Sequence, residues 1–107
     1  MRELQEALVL KQVHVRAEIN GDANGDELAS FAGFCAARIS RDLRGIDSWD
    51  LYVVGGLDQA DVVLRARVGS ETVEARATAI DAANAIWNAM CRIEQPIRDA
   101  VAARAAA

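Results

Sequence analysis

The 107-residue chain has one proline, one tyrosine and one histidine, and aromatic residues make up 5% of it. The single histidine is His14, and the two cysteines, Cys35 and Cys91, lie far apart with no Cys-x-x-Cys spacing. A zinc site therefore has too few ligands, and a Cys–His nucleophile pair has one imidazole to draw on. The seven glycines form neither a Gly-x-Gly-x-x-Gly run nor a Walker loop, which removes the usual phosphate cradles. Asp58 and Asp61 border a loop but lack the other ligands of a calcium site. No apolar run approaches the roughly 20 residues needed to cross a bilayer. Residues 1–10 are charged from Arg2 onward and too short in their apolar part for a signal peptide. These absences set the expectation of a cytoplasmic non-enzyme with no cofactor, no metal and no membrane partner.

What is present is a balanced globular composition, 52% hydrophobic and 26% charged, with a net charge of −4. One core is the limit at this length, so a single domain over 1–107 is expected, with an extension over 1–12 and a frayed tail over 102–107. The acidic total opposes bulk attraction to polyanions. Lys11 is the only lysine, and the other basic residues are arginines, whose planar forks suit bidentate contact with phosphate or carboxylate. Any contact with nucleic acid has to come from a local arginine patch.

Hydrophobic period assigns the elements. Val13, Val15, Ala17 and Ile19 alternate with polar residues, which predicts a first strand. Asn24 and Glu27 stand at capping-box spacing before an apolar stripe of Leu28, Phe31, Ala32, Cys35, Ile39 and Leu43, predicting a helix over 25–44. Trp49, Leu51 and Val53 alternate in a second strand that Gly55-Gly56 ends. Over 61–79, two alternating runs flank Gly69-Ser70, a pair suited to a type II′ turn. That turn sets Ala66 opposite Val73, Leu64 opposite Ala75 and Val62 opposite Ala77. A last helix is expected to open at Thr78 and to bury Ala83, Ile86, Trp87, Met90, Ile93, Ile97 and Val101, with a kink or break near Gln95 ahead of Pro96. Both cysteines are expected to be reduced core thiols.

The order β-α-β-β-β-α predicts an α+β, two-layer sandwich in which a four-stranded sheet carries both helices on one face. The other face is left open. Strand parity puts His14, Arg16, Glu18, Tyr52, Val63, Arg65, Arg67, Glu74 and Arg76 on it. Four arginines against Glu18 and Glu74 leave local positive charge, which reads either as a phosphate-contacting surface or as a solvated face of alternating charge.

The run 81–98 resembles the closing helix of the ribosome hibernation-promoting factors, also called ribosome-associated inhibitors. Asp81, Ala85, Ile86, Arg92, Ile93 and Ile97 fall without a gap on that helix's initial acid, its Ala-Ile pair, its basic-Leu pair and its late apolar position. The hairpin over 62–79 is similar to the family's last hairpin, and Arg38-Ile39 followed by Arg41 is similar to a Lys-Leu-x-Lys spacing on its first helix. The chain departs from the family in its acidic charge and in Trp87, Cys91 and Pro96. The resemblance implies binding in the decoding channel of the small ribosomal subunit, with Arg38, Arg41, Arg92 and Arg98 directed at rRNA phosphates. The other reading is a small interaction or dimerisation module that takes a protein partner or a second copy on the open sheet face or an edge strand.

Overall fold

The computed structural model describes residues 15–21 and 24–106. The elements run β1 (Val15–Asn20), α1 (Gly25–Asp42), β2 (Ser48–Gly55), β3 (Ala60–Val68), β4 (Glu71–Ala79) and α2 (Ala82–Ala106). The sheet order is β1-β2-β3-β4, with β1 parallel to β2 and the other pairs antiparallel. This is the α+β sandwich the residue periods predict. Val13 and His14, expected in the first strand, lie outside the described residues.

The β3–β4 register pairs Ala66 with Val73, Leu64 with Ala75 and Val62 with Ala77, as the Gly69-Ser70 turn requires. Gly69 has φ 63° and no non-glycine residue among those described has positive φ, so only the first of the two turn positions is left-handed, the type II′ pattern. At the opposite end of the sheet, Gly21 has φ 82°, and a Cβ there would overlap the Gly55 carbonyl oxygen. Glycine is needed at that end of the paired β1 and β2 on both counts.

Trp49, Leu51, Val53, Val62, Leu64 and Ala66 point from the sheet into one buried cluster shared by both helices. Trp49 is 2% exposed, and its indole N–H would be a buried orphan donor. It instead donates to Ser40 Oγ at 3.0 Å, tying β2 to α1. Ala32, Ala36, Ala85 and Ala89 are fully buried; their methyl groups leave room for the helix backbones to come close to the layers they pack on.

Several local expectations need correction. Thr78 lies in β4, where its hydroxyl donates to Asp61 Oδ1 at 2.7 Å, and Asp81 begins α2 by accepting from the Asn84 backbone N–H at 2.8 Å. Ala83 and Trp87 are exposed, and Ala82, Ala85 and Ala89 flank the buried isoleucines in their place. Trp87 is rotated by roughly 100° from Ile86 on the helix, which carries it off the core face. Cys91 is exposed and only Cys35 is buried. Phe31 is only partly buried, packed against the core rather than within it. Pro96 produces no break, since α2 continues through it. Buried Ile93 and Ile97 hold the helix on both sides of it, and Pro96 itself faces water. The helix extends to Ala106.

Candidate nucleic-acid interface

The open sheet face is built of cross-strand rows. One row reads Arg16, Asp50, Arg65, Glu74 from β1 to β4, and the next reads Glu18, Tyr52, Val63, Arg76. Arg67 sits between Ser48 and Thr72, and Asp61 between Val54 and Thr78. Arg65 lies 2.8 Å from Glu74, Arg76 3.1 Å from the other Glu74 oxygen, and Arg16 3.4 Å from Glu18. The Arg65 guanidinium also covers the Tyr52 ring, 5.7 Å from its centroid.

Asp50 and Asp61 share this face with Glu18 and Glu74, so its four arginines meet four carboxylates among the described residues. The expected positive surplus is absent. The alternation around Tyr52 and Val63 carries the signal for both aspartates, because residues two apart on a strand share a face.

Paired guanidinium groups act on the carboxylate they hold. The Arg65 hydrogen bond, and after it that of Arg76, hold Glu74 below the ordinary carboxylate range. A depressed folded-state pKa contributes stability above the unfolded value, and that contribution is lost as pH falls through the folded value. An NMR titration should therefore find Glu74 ionising below a free glutamate, and Arg65→Gln should move its midpoint upward. Identical midpoints in the two proteins would show that the pair is not formed in solution.

On the other side of the molecule, α1 and α2 bound a groove of about 310 Å³ lined by Arg38, Ile39, Asp42, Leu43, Glu94 and Arg98. Arg38 Nη2 lies 3.7 Å from Glu94, and its guanidinium stands over the Trp87 ring at 5.4 Å from the centroid. Arg41 pairs with Asp42 at 3.8 Å on the rim. One turn before Arg38, burial pushes the Cys35 thiol up, and the nearby Arg38 charge opposes that shift. Arg92 does not join the groove: its Nη1 donates to the Arg76 carbonyl at 2.7 Å, at the β4 edge. The helix arginines thus separate into Arg38 and Arg98 in the groove, Arg41 beside it, and Arg92 with Arg76 at the sheet edge. Trp87 and Glu94 are parts of this surface that the sequence reading did not assign to it. Among the described residues, no three His, Cys, Asp or Glu side chains are grouped to hold a metal.

Solved structures with this arrangement include a ribosomal subunit interface protein from Coxiella burnetii, superposing with a TM-score of 0.68 at 16% identity over 81% of this chain and 96% of that one. The N-terminal domain of Thermus thermophilus Protein Y superposes with a TM-score of 0.71 at 15% identity over 81% of this chain and 98% of that one. The chain has the fold of these two proteins. It is also the fold implied by the hibernation-factor resemblance of the sequence. No family model and no curated protein sequence matches the chain, so the likeness is one of fold. The chain carries an acidic total charge, and the sequence-assigned arginines among the described residues are distributed between the interhelical groove, the balanced sheet face and the β4 edge. No helix among the described residues is long and apolar enough to cross a membrane.

Proposed function

We propose that this protein is a cytoplasmic, non-enzymatic ribosome-associated factor that binds rRNA of the small subunit and inhibits translation by occupying the mRNA and tRNA path. The observation that carries this reading is the superposition of nearly the whole of the Coxiella ribosomal subunit interface protein on this chain. The groove supplies chemistry suited to the task. Arg38, Arg41 and Arg98 place guanidinium groups along a helix-lined surface, Arg38 beside Glu94 and Arg41 beside Asp42, and the acidic total charge of the molecule disfavours indiscriminate binding to RNA. Cell-free translation tests the activity: added protein should lower synthesis from a reporter mRNA, and the Arg38→Gln, Arg41→Gln, Arg98→Gln triple variant should lower it less. Undiminished synthesis at saturating protein would overturn the inhibitory role.

The second reading, a module for a protein partner or a second copy, is favoured by the charge balance of the open sheet face. Four arginines matched by four carboxylates suit a protein surface with alternating charge better than a phosphate backbone.

A further inference from the structure

β4 is an edge of the sheet, paired with β3 on one side. The two-residue turn at Gly69-Ser70 makes Val68 and Glu71 a hydrogen-bonded pair, and such pairs recur at every second residue, so Val73, Ala75 and Ala77 turn their backbone groups toward β3. Thr72, Glu74, Arg76 and Thr78 turn theirs outward. The Arg76 carbonyl, free of β3, is reached by Arg92 at 2.7 Å, in keeping with that direction. The side chains of these residues are exposed on the open face, where Glu74 and Arg76 carry opposite charges on either side of Ala75.

We propose that a second copy of this chain extends the sheet at this edge, β4 against β4 in antiparallel, with the two-fold axis at Ala75. Glu74 then faces Arg76 of the second copy, Arg76 faces its Glu74, and Thr72 and Thr78 face each other, so every outward backbone group meets an outward group. On the inner face Val73 meets Ala77 of the second copy, which covers a side chain that is half-buried and borders a groove with Pro96 and Ala100. The neighbouring registers that keep the backbone bonds fail on charge. An axis at Glu74 sets that carboxylate against itself, and an axis at Arg76 does the same for the guanidinium. Facing Cα atoms lie about 5.5 Å apart, against about 6.8 Å for residues two apart on one strand, so each charge gains a nearer partner than its own strand offers. The Arg76 carbonyl has a second lone pair for the incoming Glu74 N–H. A strand of other sequence fits the backbone equally well, but the order Glu74-Ala75-Arg76 is complementary to itself and selects a second copy. The inference rests on the dimerisation reading and gives it a surface; it does not depend on ribosome binding.

Sedimentation velocity over a concentration series tests it with two charge reversals. Wild-type protein should dimerise as its concentration rises. Glu74→Arg and Arg76→Glu should each weaken the dimer about tenfold or more, because either change sets like charges opposite one another at both crossings. An equimolar mixture of the two variants should recover the dimer, since opposite charges then face each other again, and recovery rules out misfolding as the cause of the loss. Wild-type protein that stays monomeric up to its solubility limit would overturn both this inference and the dimerisation reading. A dimer indifferent to the two reversals would keep that reading and overturn the β4 register. Folded variants whose mixture stays monomeric would overturn the register as well.

Discussion

Ile86→Ala should cost about 2–5 kcal/mol, the range for truncating a fully buried aliphatic side chain whose neighbours close the cavity only in part. Ile86 is completely buried, between the alanines of α2 and the inner face of the sheet, so water has no access to the space left behind. For a domain of this size the loss corresponds to a fall in Tm of at least roughly 8 °C. Phe31→Ala should fall short of that, since the ring is packed against the core with one side toward solvent. A Tm within a degree of wild type for Ile86→Ala would mean that α2 does not pack on the sheet as described.

The second large effect concerns the arginines. Replacing Arg38, Arg41 and Arg98 by glutamine should weaken binding to the small subunit and flatten its salt dependence, by roughly one unit of slope for each lost phosphate contact. Replacing Arg16, Arg65 and Arg67 should change the slope less, because Arg16 pairs with Glu18 and Arg65 with Glu74 on a face where four carboxylates match four arginines. Arg92→Gln should have a smaller effect than either groove arginine, its guanidinium being engaged by the Arg76 carbonyl. Loss of slope in the sheet set alone would transfer the interface to the open face.

The sheet was largely legible in the sequence because two independent constraints agreed. The Gly69-Ser70 turn fixes one register, and the same register puts Leu64, Ala66 and Ala75 on a common face. The face of α2 was harder. Alanine is small enough to satisfy either the buried or the exposed side, so the stripe could be drawn through Ala83 and Trp87 or through Ala82, Ala85 and Ala89 around the same isoleucines. Only packing against β3 and β4 decides between them. Pro96 misled for a related reason: its local penalty is real, but Ile93 and Ile97 on the core side hold the helix through it.

The candidate site was legible as a set of residues and not as a surface. Arg92 and Arg98 are six positions apart on α2, which turns them roughly 120° away from one another. Their separation between the β4 edge and the groove follows from that turn. Which of them faces α1 depends on how the two helices cross. The pairing of Arg38 with Trp87 and Glu94 has no sequence signal at all, because those residues meet only through that crossing. The neutrality of the sheet face, by contrast, needed only Asp50 and Asp61 to be counted with their strands.

Cosedimentation of the purified protein with small ribosomal subunits at low and moderate salt tests the central claim most directly. The protein should travel with the subunits at low salt and be released progressively as salt rises, with the Arg38, Arg41 and Arg98 triple variant released earlier than wild type. Protein that stays at the top of the gradient at low salt, or that binds with no dependence on salt or on those arginines, would contradict it.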